Sequence, residues 1–387
     1  MNELPRLITM KLISAEISGL FDKKDSVRLL FHEDLNIITG KNGSGKTTIM
    51  KLIWYVISGQ IVRALTEVPF QRVSIDTSIF QILIVRTGEN TCRIRWTEEG
   101  KTREFRDEVD EDGDLRNAED VPNARMRSIG SSIFFPTFRR IEGGFSSSQS
   151  SARHSFSSSR SEAGDLDLAL KSLSDRLSTS NHRFVSALST SDIESLLLKQ
   201  YTDASEHANR VQQETSSRII AEIREFKQEK YEADSKIGPH TGNAEAVLDS
   251  IRNMIDDMER QRQDALSQYN AIRDLVLRIF QHTGIKVGRL SMGDTAASIS
   301  SDVFSAGEKQ MLSFLCYNAF YHSSIVFIDE PELSLHVDWQ KQLFPTLFSQ
   351  KKNNQFFIAT HSPFIYSRYP DKEIRLQSDR GDDGFFD

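Results

Sequence analysis

Positive charge is in short supply in this chain of 387 residues: 48 Lys and Arg stand against 55 Asp and Glu, a formal net charge of −7. No global field therefore draws it onto nucleic acid or an anionic membrane, although a local basic patch is compatible with that balance. Cysteine is scarcer still. Cys92 and Cys316 are the two present; neither stands in metal-ligand spacing and both have apolar neighbours. That excludes a disulfide framework, and two buried thiols fit a reducing cytoplasm. Also missing is any run of the roughly 18 apolar residues that a membrane span requires. The N-terminus "MNELPRLITMKLISAEISGLF" scatters its charges and has no clean apolar centre, so no secretory signal is expected. What is there is a hydrophobic fraction of 38 % that includes 24 Phe, enough for a real core in one large or two smaller soluble domains.

The pattern along the chain is α/β. Residues 7–17 and 26–39 read as strands, and a helix follows from Lys46 to about Ser58. Residues 72–104 alternate, carry β-branched and aromatic side chains and contain a Gly-Glu-Asn turn at 88–90, which predicts antiparallel strands. The acidic stretch 106–120 reads as a solvated loop, and "SSIFFPTF" (131–138) as a buried strand running into a loop. The Ser-dominated segment 146–164 cannot bury apolar surface and reads as a flexible linker, with a phosphorylated tract as the alternative. Residues 165–284 form a helical insertion: Ile251, Ile255, Met258, Ala265, Tyr269, Ile272, Val276 and Ile279 make a heptad-like stripe. The break 235–243, with Gly238, Pro239 and Gly242, predicts an antiparallel hairpin whose second helix, about 37 residues, would span about 55 Å. A plain helical subdomain is the other reading, and Arg262 interrupts the seam. After a strand-rich stretch at 285–303, helices at 306–321 and 337–350 alternate with strands at 324–330 and 355–362, the β-α-β order of parallel strands.

Chemistry gathers at four places. "GKNGSGKTT", Gly40 to Thr48, follows an apolar strand and opens a helix, the context of a phosphate-binding P-loop. Gly40, Gly43 and Gly45 let backbone N–H groups curl around phosphate oxygens, with Asn42, Ser44 and Thr48 in the same loop and the helix dipole aimed at them. Lys46 is expected to reach the β- and γ-phosphates and the Thr47 hydroxyl to ligate Mg²⁺. "SIVFIDEPE" is a strand buried on both faces ending in Asp329, a second Mg²⁺ residue, and Glu330, which can polarise an attacking water. His361 ends the next strand, where an imidazole can hydrogen-bond the γ-phosphate and sense its loss.

The fourth place is "FSAGEKQ". Ser305 and Gly307 open a helix whose free N–H groups would bind phosphate, yet the P-loop already holds the phosphates from its own side. The simplest resolution is that Ser305, Gly307 and Glu308 meet the ATP held by another copy of the chain, in a two-fold arrangement.

Taken in order, the P-loop, "FSAGEKQ", "IVFIDEPE" and "ATHSP" resemble the ABC-type ATPase heads of the SMC, RecF and OLD class. "FSAGEKQ" stands at the family's signature, and "ELSLHVDWQ", with Ser334, Leu335 and His336, resembles its D-loop. The resemblance covers about residues 1–140 and 285–370. It implies a P-loop ABC-type head, a mixed sheet with an antiparallel β lobe, divided into halves at 1–145 and 285–387 by the inserted helical or coiled-coil hairpin. "DEPELSLHVDWQ" and "FFPTFRRIEGG" are most similar to ATPase subunits of anti-phage systems of the Septu, PARIS and retron type. The implied activity is ATP hydrolysis with Mg²⁺ in a cytoplasmic homodimer or higher homo-oligomer, acting on a separate effector, a nuclease or toxin encoded nearby. Two departures stand out. No Gln occupies the family's Q-loop place, here "FFPTFRR"; Gln81 lies on an earlier strand, and Arg139 and Arg140 contact phosphate or a partner, or are an exposed basic pair. The tail after His361 is too short for the nuclease domain that OLD-like nucleases carry. A DNA-binding repair ATPase of SMC/RecF type is the alternative function. A transporter's soluble subunit fits poorly, because a long helical insert separates P-loop and signature.

Overall fold

A computed structural model of the protein describes residues 9–22, 26–109, 115–137, 140–141, 162–188, 190–233, 245–264 and 305–376. They fall into two compact units: the described residues up to 188 together with 305–376, and those from 190 to 264.

The first unit carries sixteen strands in two main sheets and two short ribbons. In chain order they are β1 (Leu12–Ser18), β2 (Ser26–Leu30), β3 (Leu35–Thr39), β4 (Arg72–Thr77), β5 (Phe80–Arg86), β6 (Cys92–Glu98), β7 (Lys101–Arg106), β8 (Glu108–Val109), β9 (Leu115–Arg116), β10 (Ser132–Phe135), β11 (Arg140–Ile141), β12 (His182–Phe184), β13 (Ala187–Leu188), β14 (Ile325–Asp329), β15 (Gln355–Ala359) and β16 (Glu373–Arg375). The helices of this unit are α1 (Lys46–Ile57), α2 (Ile61–Glu67), α3 (Asp120–Ser128) and α4 (Glu162–Leu177). The second unit holds α5 (Thr190–Ala233) and α6 (245–264). Past it, the first unit resumes with α7 (Ala306–Phe320), α8 (Val337–Ser349) and α9 (Pro363–Tyr366).

The mixture of parallel and antiparallel pairing is divided between the sheets. One runs β2-β1-β4-β5-β6-β7 and is antiparallel throughout. The other runs β12-β10-β14-β15-β3-β16 and is parallel throughout. Strands of the parallel sheet read as apolar runs because both faces are covered: every residue of β3, β10, β14 and β15 is buried.

Residues 26–39, expected to be extended together, break at 31–34. Asn36 turns the chain there: its carbonyl accepts from the His32 N–H at 2.7 Å and its amide donates to the His32 carbonyl at 2.9 Å. β2 therefore joins the antiparallel sheet and β3 the parallel one. Gln355 bridges the two sheets. Its side chain accepts from Leu12 N–H and donates to the Leu12 and His32 carbonyls, each at 2.8 Å, and it is fully buried.

Helix α1 is buried on nearly all sides, with Leu52, Ile53, Trp54, Val56 and Ile57 at 0 % exposure. An all-round apolar helix belongs in a core, and this one shares a single apolar cluster with β1, β4, β5, β6, β14 and β15. The acidic stretch read as loop is partly ordered: β8 and β9 pair, and α3 begins at Asp120. Its sequence is only weakly amphipathic. Tertiary contacts make the helix, which buries Pro122, Asn123 and Met126 and uses Asn123 Oδ1 to accept from Ile61 N–H. In the second unit Ile251, Ile255 and Met258 lie on α6, and the predicted break at 235–243 lies outside the described residues. The rest of the stripe, most of the Ser-rich segment and the stretch 285–303 lie outside the described residues.

One polar chain crosses the core. Trp54 Nε1 donates to Ser132 Oγ at 3.1 Å, Ser132 Oγ meets His182 Nδ1 at 2.8 Å, and His182 Nε2 meets the Met126 carbonyl at 3.2 Å. Burial lowers the His182 imidazole to about 4, against a smaller upward pull from backbone hydrogen bonds. The folded protein thus holds His182 neutral where an unfolded chain protonates it. The associated stability is complete above the ordinary histidine value near 6.5 and is lost as pH falls toward 4. A thermal-melting series from pH 7.5 to 4.5 is expected to show His182→Gln with a shallower pH slope than the unaltered protein, by an amount on the order of 3 kcal/mol at the acid end; equal slopes would contradict the neutral assignment.

Candidate nucleotide site

The C-terminal ends of parallel strands are where an open α/β sheet presents ligands, and four of this sheet's strands end at one place. β3 runs into the loop Gly40–Gly45, β14 ends at Asp329, β15 runs toward His361, and β10 ends two residues before Thr137.

The loop has three glycines with positive φ, Gly40 at 155°, Gly43 at 83° and Gly45 at 91°. A Cβ on Gly45 would lie 2.8 Å from the Phe21 ring, so both backbone angle and space select glycine there. Gly45 caps α1, leaving the first N–H groups of the helix directed at the loop. Lys46 folds back over it and donates to the carbonyls of Gly40 and Lys41, each at 3.1 Å. Burial lowers the Lys46 ammonium, while Glu330, Asp329 and Glu332 pull it up. Ser44 Oγ is buried within the loop with no protein partner. Asn42 and Gly43 are exposed and Thr48 is half-buried. A cavity of about 660 Å³ opens beside the loop, lined by Gly40, Lys41, Ser44, Thr360 and His361 among others.

The carboxylates behave differently despite being adjacent. Asp329 is fully buried and accepts from Thr47 Oγ1 at 3.0 and 2.8 Å on its two oxygens. Thr137 Oγ1 donates to Asp329 Oδ2 as well. Glu330 adopts φ 48°, a left-handed conformation uncommon for a side-chain-bearing residue. Its N–H still donates to the Ala359 carbonyl at 2.8 Å, which extends the β14–β15 ladder by one bond and throws its side chain out of register. Burial raises the Glu330 carboxyl above the usual range, helped by the charges of Asp329 and Glu332 and opposed by His361 and Lys46.

The residues present fit nucleotide-bound Mg²⁺. Two hydroxyls and a carboxylate converge, the oxygen donor set this cation takes alongside phosphates, and a lysine with an unpartnered buried hydroxyl lies in the adjoining loop.

The turn Glu330–Leu335 is the junction of the site. Glu332 Oε1 accepts from His361 N–H at 2.7 Å, tying the end of β15 to this turn. Gln310 Nε2 on α7 donates to the Pro331 carbonyl at 2.9 Å. Gly307 lies flat against the turn, where an added Cβ would meet the Ser334 carbonyl oxygen at 2.5 Å. Gln340 Nε2 on α8 donates to the Leu335 carbonyl at 2.8 Å, and Ser362 Oγ donates to Gln340 Oε1 at 2.6 Å. The start of α7 is closed by a capping box: Glu308 N–H donates to Ser305 Oγ at 3.3 Å, and Glu308 Oε2 accepts from Ser305 N–H at 2.8 Å. Among the described residues, Ser305 and Glu308 bond to one another and Gly307 packs on this turn, while Thr47, Asp329, Lys46, Glu330 and His361 assemble around the loop.

The profile of the AAA ATPase domain matches residues 10–366. The chain belongs to that family. Among curated relatives of this AAA ATPase domain, endonuclease GajA of Bacillus cereus (strain VD045) is 29 % identical over 160 residues, 35 % of this chain and 27 % of GajA. A probable ATPase of retron Ec83 from Escherichia coli is 35 % identical over 96 residues, 24 % of this chain and 17 % of the relative. A probable ATPase of retron Vc95 from Vibrio cholerae serotype O1 biovar El Tor is 22 % identical over 401 residues, covering 97 % of this chain and 76 % of the relative. The matches thus span about a quarter or less of the first two proteins. Among solved structures, an Smc head domain with an extended coiled coil, derived from Pyrococcus furiosus, aligns over 92 % of this chain and 91 % of its own at 14 % identity and a TM-score of 0.37.

Within this AAA ATPase domain the sequence pattern marked the P-loop, Asp329, Glu330 and His361. It passed over Thr137, Glu332, Gln310 and Gln340. Glu332 carried a hint, being the third carboxylate of "DEPE" beside the P-loop's partner strand. The glutamines carried none, because a single Gln on a helix looks the same whether it faces solvent or a buried carbonyl. The Gly307 contact makes its own prediction. Gly307→Ala pushes a methyl against backbone, so a loss of about 1–3 kcal/mol is expected by urea or thermal unfolding, while Ala306→Gly changes stability by about 1 kcal/mol at most; an unaltered Gly307→Ala protein would refute the close approach.

Proposed function

We propose that this chain binds and hydrolyses ATP with Mg²⁺, that two copies close on composite ATP sites, and that the cycle controls a separate effector, a nuclease or toxin, in defence against phage. The observation that carries this reading is the turn Glu330–Leu335. On one side it presents carboxylates to Lys46, and on the other it packs the backbone of Gly307 at the start of α7. A phosphate change on the P-loop side can therefore be felt at a helix N-terminus that a second copy could use. Ser305 is exposed, as a residue that meets another chain has to be.

In this reading Lys46 and the loop hold the phosphates, and Thr47 and Asp329 hold Mg²⁺, whose charge offsets that of the transferred phosphoryl group. Glu330 orients and deprotonates water; a carboxyl raised above its ordinary range is a better base near neutral pH. His361, fastened through its N–H to Glu332, faces the γ-phosphate from the next strand. Ser305, Gly307 and Glu308 of a second copy close the site, and the Ser305–Glu308 capping box opens to admit that phosphate. Control of an effector rests on resemblance to the ATPase subunits of defence systems and on kinship with the retron ATPases and GajA.

The experiment is mass measurement by light scattering, with ATP turnover, on the full chain with and without a non-hydrolysable ATP analogue. Glu330→Gln is expected to bind ATP, to hydrolyse it about 100-fold or more slowly, and to accumulate as a dimer. Lys46→Ala loses binding. Ser305→Arg keeps nucleotide binding by the single chain and loses both dimer and hydrolysis. Normal turnover by Ser305→Arg would end the composite-site reading. Effector control is tested by co-purification with the product of the adjacent gene; recovery of free ATPase with no effect on that product counts against it.

A pH prediction comes from the carboxylate cluster. The acid limb of kcat/KM for ATP is expected above the ordinary carboxylate value, because Glu330 must be ionised to act and its carboxyl is raised. Glu332→Gln removes one of the charges that raise it, so the limb moves to lower pH; an unmoved limb would show that Glu330 is not the titrating base.

A further inference from the structure

The short strand β10 lies beside β14 in the parallel sheet, with Phe135 opposite Ile328. Pro136 follows, and then Thr137 turns its hydroxyl onto Oδ2 of Asp329. The same carboxylate accepts from Thr47, within 3.0 Å of both oxygens. Two hydroxyls from separate elements thus face one fully buried carboxylate. A hydroxyl has one proton to donate and two lone pairs to offer. Thr137 can give its proton to Asp329 and still present an oxygen to a cation that Asp329 holds. It is also half-buried rather than part of the packed core, so filling space does not account for it.

The strand end that carries Thr137 touches something else. Phe135, two residues earlier and fully buried, packs edge-on against Phe314 at 5.1 Å and Tyr317 at 5.3 Å, both on α7. β10 therefore connects the Asp329 carboxylate to the body of the helix that Ser305 caps, a second route beside the Glu330–Leu335 turn.

We propose that Thr137 is the third protein oxygen of the cation site, beside Thr47 and Asp329, and that through Phe135 it couples loading of the cation to the position of α7. This rests on the reading of Gly40–Thr48 as a nucleotide site.

The test is a Mg²⁺ titration of nucleotide binding, read by a fluorescent ATP analogue on the full chain, for the unaltered protein and for Thr137→Val, Thr137→Ser and Thr137→Cys. Thr137→Val keeps the shape and loses the oxygen, so its Mg²⁺ midpoint is expected to rise about tenfold or more, while its melting temperature in EDTA falls because the buried Asp329 loses a hydrogen bond. Thr137→Ser stays within about twofold of the unaltered protein, since it keeps the hydroxyl. Thr137→Cys weakens toward Mg²⁺ as the valine variant does. Cd²⁺, which favours sulfur ligands, restores Thr137→Cys and leaves Thr137→Val weak; Cys92 and Cys316 are common to both. A Thr137→Val midpoint equal to that of the unaltered protein, or equal responses of the Cys and Val variants to Cd²⁺, overturns the assignment and leaves the nucleotide site standing. An unaltered protein whose nucleotide binding ignores Mg²⁺ overturns both.

Discussion

A carboxylate with no exposed surface, Asp329, stands at the end of the central strand β14, and the architecture is arranged around satisfying it. A charge in that position is costly unless hydrogen-bonded or held by a cation. Thr47 reaches it from the P-loop helix and Thr137 from β10. Those bonds require β3, β10 and β14 to end at the same level of one parallel sheet, and α1 to start directly above them. The sheet register supplies the first condition. The burial of α1 between the two sheets supplies the second, since its apolar residues can slide in neither direction without exposing surface.

From that carboxylate the constraint passes outward along the chain. Glu330, the next residue, keeps its ladder bond to Ala359 yet sits in a left-handed conformation, so the strand stops and its carboxyl turns toward Lys46. The turn that follows is then held on three sides: by Gln310 from α7, Gln340 from α8, and the N–H of His361 on Glu332. Each is a bond to a buried or half-buried group, where an unmade bond costs more than a made one gains. The turn, the strand end at β15 and the two helices consequently move together or not at all. These contacts support the proposed reading of phosphate state at the start of α7.

The elements most legible in the sequence were those whose reason is local. An apolar strand, a glycine loop and a helix start form one continuous string at Leu35–Ile57, and β14 and β15 announce themselves as apolar runs ending in Asp329 and near His361. Less legible were elements made by contact. Residues 26–39 have uniform β character, and only the Asn36 clamp on His32 divides them between two sheets. Helix α3 has little periodicity and is held by what Asn123 and Met126 bury against. Thr137 sits in a segment with no glutamine, and nothing in "FFPTF" says that its hydroxyl faces Asp329; Arg139 lies outside the described residues.

The sequence by itself determined the phosphate loop, the two acidic residues and the alternation that makes a parallel sheet, because backbone conformation and hydrophobic period act over a few neighbouring residues. The tertiary structure alone decided which side chains complete the site. Thr137 meets Asp329 across 192 residues of chain and Gln355 meets Leu12 across 343. Such pairs are fixed by sheet order and register, and no local propensity encodes them.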